Sequence, residues 1–497
     1  MSAASSPFAA WNGLELAWTI GAYDDSLSFD TSGDADVELV WFDTTRVDVE
    51  AAWLADRLAA LRASTDLPIL VLAWPLSAMQ RAAIANADIP GLACVDLDPL
   101  ATTLGTRWLD ERALRLSGTR LSNQACLHVA RALACRWLPA VATAPRKAVA
   151  VDLDGTLYRG VLAEDGPARV ELTAAHRQLQ ATLVALRDAG VLLALVSRNE
   201  RADVEQLFAE RADFPLRLEH FSALEVSWDD KPVALRRASE TMRIGADAVV
   251  FVDDNPGELA AIAQALPALT VHAREDARET LAALDHVAGI FRFARQREDT
   301  LRAADLRAAA LRRDAEQNAL SPDDYLRSLD VRLDFAVNRR EHLSRMAELC
   351  AKTNQFNLSL ARMNQVELAR TIDDPDGCVV TIALADRLSD SGIVGLVVGA
   401  RHGDDLRVCE VCVSCRALGR RIEDTMLTQA LRLMAQAWTP ERVVFNVRKG
   451  PRNAPARDWL ARYAGVQLDD DATEVQFPFA RIAQCELSPA VSIRSAA

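Results

Sequence analysis

The residues with the clearest chemical potential are two aspartates one residue apart, Asp152 and Asp154, which follow a short apolar run that begins at Ala148. A buried strand of a parallel sheet delivers polar side chains to its carboxyl edge in this way, and open α/β sheets bind ligands at that edge. One carboxylate there can attack a phosphoryl group while the other moves a proton, and both are hard oxygen ligands for a divalent cation. The pair therefore predicts phosphoryl chemistry; the alternative is a helix cap or a solvated loop.

Further polar residues follow predicted strands or open predicted helices downstream. Ser197 ends a second apolar run, where its hydroxyl can donate to a phosphoryl oxygen, cap the next helix, or do both. Lys231 opens a predicted helix, and an ammonium near a phosphate would neutralise charge and keep the aspartates ionised. Asp253 and Asp254 end a third run. The order of these signals favours one site over several unrelated surface residues.

The order Asp-x-Asp, Ser, Lys, Asp-Asp resembles the haloacid-dehalogenase superfamily of phosphotransferases. The resemblance implies that Asp152 is the nucleophile that forms an aspartyl-phosphate and that Asp154 is the general acid and base. It implies a phosphate-binding group made of Ser197, Arg198, Asn199 and Lys231. It also implies a Mg²⁺ site made of Asp152, Asp154 through its backbone carbonyl, Asp253 and Asp254.

Length and composition bound the class of protein. The 497 residues exceed what one hydrophobic core organises, which predicts several domains. A formal net charge of −14 with interspersed charges argues against a nucleic-acid partner. The start shows no secretory signal, and no apolar run approaches the roughly 18 residues that a membrane span needs, so we expect a cytoplasmic protein without a membrane partner. The nine cysteines are accordingly expected to be reduced thiols.

The predicted fold class is α/β with three domains. Residues 1–145 alternate strand and helix patterns like a small esterase-like (SGNH-like) domain, but they lack a Gly-Asp-Ser turn or a Gly-x-Ser-x-Gly elbow, so no catalytic serine is evident. Residues 146–294 form the haloacid-dehalogenase-like parallel sheet. Residues 295–323 are rich in Arg, Ala, Asp and Glu and predict a solvated helical connector. Residues 324–497 form a third α/β domain, whose last dozen residues look frayed.

In the third domain a strand, an Arg-x-x-Gly loop and a helix follow one another. This layout resembles acetyltransferase-like domains, which hold the pyrophosphate of a pantetheine cofactor on backbone amides and a helix N-terminus. The resemblance implies pantetheine or carrier contacts from Arg416, Gly419 and Arg420. Arg421 stands where such loops normally have a second small residue, which departs from a tight coenzyme A site.

Three cysteines, Cys409, Cys412 and Cys415, lie three residues apart in a strand-like run. Strand alternation would put Cys412 on the face opposite the other two, which argues against a three-thiolate zinc site. Cys415 lies at the strand's exit beside Arg416, where a thiolate would be stabilised, so it is either a nucleophile or an inert core thiol.

The phosphotransferase motifs together with residues 352–357, 390–395 and 414–420 resemble the FkbH-like family of polyketide biosynthesis, subfamily IIIC of the same superfamily. The likeness runs from about Ala148 onward, and longer members carry an esterase-like, catalytically silent domain before it. Membership implies a glyceryl transferase and phosphatase that takes D-1,3-bisphosphoglycerate and forms a thioester on an enzyme cysteine. The glyceryl unit then passes to the phosphopantetheine thiol of an acyl carrier protein, and the aspartate centre removes the phosphate with Mg²⁺.

Several points stay open in the sequence. The family usually has Asn-Thr-Leu-Trp-Gly-Gly where this chain has residues 155–160, and Arg159 adds a cation that favours a more anionic or a different substrate. The acyl unit can be glyceryl or a relative such as lactyl. The alternatives are a Mg²⁺-dependent small-molecule phosphatase and a non-enzymatic module that binds a carrier protein. The acylated cysteine is one of Cys350, Cys409, Cys412 and Cys415.

Overall fold

The apolar runs of the sequence form strands in three separate sheets. The computed structural model describes residues 2–21, 34–44, 50–117, 120–293, 297–319 and 321–496. Contacts divide the chain into two units, residues 1–187 with 191–295 and residues 188–190 with 296–497. The expected boundary between residues 294 and 295 lies outside the described residues. All three sheets are accompanied by helices, which confirms the α/β fold class.

The first unit begins with a three-stranded parallel sheet in which the middle strand is buried on both faces. The strands are β1 (Glu38–Asp43), β2 (Ile69–Trp74) and β3 (Leu92–Asp96). The helices are α1 (Ser2–Trp11), α2 (Ala51–Ser64), α3 (Ala78–Asn86), α4 (Asp98–Leu104), α5 (Glu111–Ser117), α6 (Asn123–Ala132) and α7 (Leu138–Ala142). A π-helical turn at Leu133–Trp137 joins α6 to α7.

The second sheet of the first unit has five parallel strands in the order β6-β5-β4-β7-β8. These strands are β4 (Ala148–Val151), β5 (Leu192–Ser197), β6 (Ala223–Val226), β7 (Val249–Asp253) and β8 (Leu269–His272). The helices between them are α8 (Leu162–Asp165), α9 (Ala174–Asp188), α10 (Arg201–Glu210), α11 (Lys231–Thr241), α12 (Pro256–Ala265) and α13 (Ala277–Asp285). Strand β4 lies centrally, between β5 and β7, so the strand order reverses there. Such a switch point opens a crevice at the carboxyl ends of the strands.

The second unit contains a seven-stranded mixed sheet in the order β14-β13-β12-β11-β10-β9-β15. Its strands are β9 (Val331–Val337), β10 (Gly377–Ala385), β11 (Asp390–His402), β12 (Asp405–Val413), β13 (Arg442–Asn446), β14 (Glu474–Pro478) and β15 (Val491–Ala496). The helices are α14 (Arg297–Asn318), α15 (Pro322–Leu329), α16 (Leu343–Lys352), α17 (Gln365–Asp373), α18 (Glu423–Met434), α19 (Ala454–Ala464) and α20 (Ala480–Gln484). The pairs β12–β13 and β15–β9 are parallel, and the other neighbours are antiparallel.

Two features of the second unit correct the sequence reading. The last residues were expected to be frayed, but Val491–Ala496 pairs in register with Val331–Ala336 as an edge strand. Helix α14 was expected to be a solvated connector, but it belongs to the second unit and carries buried charged side chains. In the described part of the chain, no helix combines the length and apolarity that crossing a membrane requires.

Two of the buried charged residues of α14, Asp305 and Arg312, belong to an ion-pair network with Asp386 and Arg420. Arg312 lies 3.0 Å from a carboxylate oxygen of Asp305 and 2.8 Å from one of Asp386. Arg420 lies 3.1 Å and 2.9 Å from the same two carboxylates. All four residues are buried. Burial alone would raise the pKa of Asp305, but Arg420, Ser389 and Arg312 outweigh it and hold that pKa below its usual value. The network therefore fixes α14 to the loop between β10 and β11.

Replacing Asp386 by alanine leaves two buried guanidinium groups with one carboxylate in place of two. We expect the free energy of unfolding to fall by about 3–5 kcal/mol, because an uncompensated buried charge is costly. Urea titration followed by circular dichroism measures the change. Asp470→Ala is the matched control, since Asp470 pairs with Lys449 at the surface, and its midpoint should not move. Equal midpoints for the two variants would contradict the assigned role.

Candidate active site

The sequence around Asp152 folds so that two carboxylates leave the end of a buried strand. Strand β4 is buried throughout, and the Asp152 amide continues its ladder by donating to the Val252 carbonyl at 2.9 Å. The chain then turns at Gly155, whose φ is +64°. A Cβ at this position would lie 2.3 Å from Oδ2 of Asp254. Glycine is therefore required twice, by the backbone angle and by the approach of the Asp254 carboxylate.

Lys231 joins the ends of three strands. Its Nζ lies 2.7 Å from Oδ1 of Asp152 and 2.8 Å from Oδ2 of Asp253, and it donates to the Val196 carbonyl at 3.2 Å. These bonds use all three ammonium protons. Lys231 and Asp253 are 3% and 0% exposed, so the interaction takes place away from bulk water. Lys231, the first residue of helix α11, is thus buried and forms ion pairs with two carboxylates.

Three carboxylates meet at this edge. Ligand oxygens of Asp152, Asp253 and Asp254 lie within 4.8 Å of one another. Burial raises the pKa of Asp152 to about 6, with Lys231 lowering it and Asp253 raising it. Burial also raises the pKa of Asp253 and, with the charge of Asp152, that of Asp254. One ammonium faces three carboxylates, and an all-oxygen donor set with surplus negative charge fits a hard cation such as Mg²⁺.

Asp154 is held apart from that cluster by three donors. Its Oδ1 accepts from the Tyr158 hydroxyl at 2.5 Å and from the Leu162 amide at 2.8 Å, and its Oδ2 accepts from Nδ2 of Asn199 at 2.8 Å. The carboxylate is therefore oriented by neighbours on both sides. Its side chain is not one of the carboxylates that cluster as a metal site, which is compatible with the expected backbone-carbonyl role.

Of the residues at the end of β5, Ser197 and Asn199 connect to Asp154, whereas Arg198 forms ion pairs with other carboxylates. Ser197 is 3% exposed, and its Oγ accepts from Nδ2 of Asn199 at 3.1 Å. Asn199 therefore links Ser197 to Asp154. The Arg198 guanidinium pairs instead with Glu258 at 2.8 Å and Asp230 at 3.1 Å. Its charge is engaged by carboxylates, so the side chain of Arg198 does not support the phosphate contact expected for it.

A cleft of about 900 Å³ adjoins the acids. Its lining includes Gly155, Arg159, Asp254, His272 and Arg274. The Arg159 guanidinium lies 3.2 Å from Glu171 and 3.7 Å from Glu275. The extra cation that the sequence suggests is thus offset by two surface acids. This pairing removes the reason for expecting a more anionic substrate on account of Arg159.

Sequence reasoning missed two residues of this site. Tyr158 is fully buried, and burial together with the Asp154 charge raises the pKa of its hydroxyl, so it donates to Asp154. His272 ends strand β8, and its Nε2 lies 3.0 Å from the Asp254 carbonyl. The available signals were the spacing of Tyr158 four residues after Asp154, and the position of His272 at one more strand end.

The candidate cysteine lies in the second unit. Cys415 follows β12 and is exposed, whereas Cys350 and Cys412 are fully buried. Burial raises the pKa of the Cys412 thiol well above its usual value and also raises that of Cys409. Among the four cysteines that the sequence left open, Cys415 is the exposed one.

The run from Cys409 to Cys415 is a strand as far as Val413, in line with the argument against a three-thiolate site. Ligand atoms of Cys350, Glu410 and Cys412 do lie within 4.8 Å of one another. However, the Glu410 carboxylate accepts the Val411 and Ala361 amides, both at 3.0 Å. These bonds give the carboxylate a structural role in holding the loop after Phe356.

The three residues expected to contact pantetheine differ in exposure and in their hydrogen-bond partners. Gly419 is exposed, has a φ of +79°, and donates its amide to Glu423 at 3.2 Å. Arg420 is 3% exposed and directs its guanidinium at Asp305, Asp386 and Ser391. Arg420 is therefore part of the internal network and has no face for a carrier, which corrects the expectation from the loop pattern. Arg416 is buried beside Cys415.

No family model and no curated protein matches the chain. Several solved structures resemble parts of it. The N-terminal part of BF1531 from Bacteroides fragilis, which contains a phosphatase domain and is complexed with Mg, is 17% identical with a TM-score of 0.47; the match covers 59% of this chain and 91% of that one. PaiA N-acetyltransferase from Thermoplasma acidophilum, complexed with coenzyme A, is 11% identical with a TM-score of 0.22, over 29% of this chain and 98% of that one. A haloacid-dehalogenase family enzyme from Bacteroides thetaiotaomicron is 15% identical with a TM-score of 0.19, over 26% of this chain and 95% of that one. At these TM-scores the likenesses do not decide what the chain does.

Proposed function

We propose that the chain is a Mg²⁺-dependent phosphatase and an acyl transferase, the two reactions belonging to different units. The observation that carries the proposal is the buried set of Asp152, Lys231 and Asp253, with Asp154 oriented beside it. Buried carboxylates that face one another and a single ammonium have few structural uses, because hydrophobic residues would pack there at lower cost. Perturbed carboxylates at a strand-end crevice are typical of a catalytic site.

The phosphatase reaction follows from the two aspartates. A carboxylate oxygen of Asp152 attacks phosphorus, the bond from phosphorus to the leaving oxygen breaks, and Asp154 in its acid form gives that oxygen a proton. Water then attacks the aspartyl-phosphate, Asp154 takes a proton from the water, and inorganic phosphate leaves Asp152. Lys231 keeps Asp152 oriented. Ser197 is the hydroxyl beside the site that can donate to a phosphoryl oxygen. Asp152, Asp253, Asp254 and the Asp154 carbonyl would hold Mg²⁺, which would supply positive charge to the phosphoryl transfer.

The acyl transfer is assigned to Cys415, following the resemblance to the FkbH-like family. Its thiolate attacks the acyl carbon of D-1,3-bisphosphoglycerate, the bond from that carbon to the phosphate oxygen breaks, and phosphate leaves. The pantetheine thiol of an acyl carrier protein then attacks the thioester, and the bond to the Cys415 sulfur breaks. The exposure of Cys415 supports this assignment, since the fully buried Cys350 and Cys412 cannot meet a carrier arm. The remaining phosphate monoester, which is inert in water, is a substrate for the aspartate centre.

Replacing Asp152 by asparagine removes the nucleophile. We expect Mg²⁺-dependent phosphate release to fall by about 10³-fold or more in kcat. Phosphate release from phosphomonoesters, with and without chelator, measures the effect. The matched control is Asp213→Asn, because Asp213 forms an ion pair with Arg211 outside the site. Unchanged release in the Asp152 variant would contradict the phosphatase assignment.

Acyl transfer is tested separately. Enzyme, Mg²⁺, D-1,3-bisphosphoglycerate and carrier proteins are incubated, and the carrier is weighed by intact-protein mass spectrometry. We expect a glyceryl adduct with the wild type, an adduct heavier by one phosphoryl group with Asp152→Asn, and no adduct with Cys415→Ala.

Cys485→Ala is the control for that experiment, since Cys485 is a partly exposed thiol of the same unit. If no carrier is acylated while phosphate release persists, the chain is a phosphatase without the transferase activity. If neither reaction occurs, the non-enzymatic carrier-binding alternative remains.

Replacing Tyr158 by phenylalanine removes one of the three donors to Asp154 and keeps the ring that packs 5.9 Å from the Phe214 ring. We expect kcat for alkyl phosphates to fall about tenfold, because a general acid that contributes about 10²–10⁴-fold is less well oriented. Aryl phosphates should lose much less, since their leaving oxygen needs little help from a proton. Equal losses for both substrate classes would indicate a merely structural role for the tyrosine.

A further inference from the structure

Arg416 is a buried guanidinium without a carboxylate partner in the described part of the chain. The residue is 9% exposed, and its Nη1 donates to the Glu298 carbonyl at 3.2 Å. The described residues provide no acceptor for its Nε and Nη2. Neither nitrogen is among the fully buried polar atoms that lack a partner, so this edge of the guanidinium is open to solvent. Buried arginines are normally paired. The neighbouring Arg420 illustrates the normal case, because it donates to two carboxylates.

The surroundings of Arg416 add positive charge. Burial, together with the charges of Arg345 and Arg302, lowers the pKa of Arg416 to about 10, although the Asp305 charge acts in the opposite direction. Arg345 is paired with Glu348 at 2.7 Å, and Arg302 with Asp299 at 2.6 Å. The acids next to these arginines are therefore already engaged. Arg416 remains protonated at neutral pH, and the Asp305 carboxylate attracts its charge without forming an ion pair with it.

Glu298 does not supply the missing carboxylate. Its Oε1 accepts the Ile393 amide at 3.1 Å, and only its backbone carbonyl meets Arg416. The Ile393 carbonyl in turn accepts from Nε and Nη2 of Arg345, at 3.0 and 2.8 Å. Glu298 and Ile393 thus connect the two guanidinium groups through fixed backbone contacts. These hydrogen bonds hold the backbone around Arg416 in place, and Nε and Nη2 of Arg416 stay without a partner among the described residues.

Arg416 directly follows the exposed Cys415. The turn that carries both is fixed by the Ser414 amide, which donates to the Val394 carbonyl at 2.7 Å, and by the Ser414 hydroxyl, which accepts the Arg416 amide at 3.4 Å. Nε and Nη2 lie on one edge of a guanidinium and present two parallel donors. This fork matches two oxygens of a phosphate group, and it does so better than a lysine could.

We propose that Arg416 binds a phosphate group of the small phosphorylated donor that acylates Cys415, and not the carrier arm expected from the loop pattern. Only the identification of the donor rests on the proposed function. The anion site itself follows from the unpaired guanidinium beside an exposed thiol. A bound phosphate supplies the missing acceptors and holds the acyl group near the sulfur.

The test reads the local environment of Cys415 and needs no turnover. Full-length Asp152→Asn protein without metal is alkylated with iodoacetamide, and the rate at Cys415 is followed by peptide mass spectrometry. The probes are 3-phosphoglycerate, glycerate and pantetheine 4′-phosphate. We expect 3-phosphoglycerate to slow alkylation roughly tenfold and glycerate to have no effect, because the phosphate supplies the binding charge.

The variants separate the charge from the fold. Arg416→Gln should abolish the protection, and Arg416→Lys should retain less than half of it, since a lysine keeps the charge and loses the fork. Arg421→Gln is the matched control, because Arg421 is an exposed arginine of the same loop, paired with Glu316, and its protection should equal that of the parent. Circular dichroism verifies that each variant is folded. If Arg416→Gln fails to fold, the lysine variant and the parent protein decide the matter.

The proposal is overturned if 3-phosphoglycerate does not slow alkylation, if glycerate protects equally, or if folded Arg416→Gln is protected like the control. Protection by pantetheine 4′-phosphate alone would overturn the assignment to the donor and return Arg416 to the carrier arm. Because the experiment uses neither acyl donor nor carrier, failure of acyl transfer in the earlier assay leaves its result unaffected.

Discussion

The ammonium of Lys231, held between Asp152 and Asp253, is the interaction on which the candidate active site depends. Without it, adjacent buried carboxylates would take up protons rather than stay ionised. The lysine reaches them because α11 begins with Lys231, directly beside the ends of β4, β5 and β7. Its third proton bonds the Val196 carbonyl, which ties the charge to the backbone of β5. The Asp152 carboxylate and the backbone of the sheet are thus stabilised by one side chain.

The meeting of Asp152, Ser197, Lys231 and Asp253 could be predicted from the sequence, because apolar runs predict parallel strands and the carboxyl ends of parallel strands share an edge. The support around Asp154 could not. Tyr158 reaches its carboxylate through a tight turn, and Asn199 reaches it from the loop after β5. Both contacts depend on side-chain direction within loops, which hydrophobic periodicity does not encode. The pairing of Arg159 with two acids escaped prediction for the same reason.

The second unit shows the same limit on a larger scale. The run from Cys409 to Cys415 was predicted as strand-like, whereas the edge strand β15 was expected to be frayed, because two large apolar residues, Val491 and Ile493, are a weak strand signal. Helix α14 resembles a solvated helix in composition, since nothing in a one-dimensional charge pattern tells which arginine and aspartate will pair internally. Asp305 and Arg312 are buried because Asp386 and Arg420, far along the chain, complete their charges. A network of this kind is visible only once the sheet is assembled.

Arg416 and Arg420 lie in the same loop between β12 and α18, but they differ in their ion-pair partners. Arg420 is neutralised by two aspartates and serves to hold α14 against the sheet. Arg416 is buried to a similar degree without such partners, so the fold bears a desolvation cost that it avoids four residues later. A buried cation without an ion-pair partner is expected where it binds a ligand, and the adjacent exposed Cys415 thiol is consistent with such a site. In the proposed acyl transfer, an anionic acyl phosphate would approach an anionic sulfur, and a fixed, incompletely satisfied guanidinium would lower the repulsion between them.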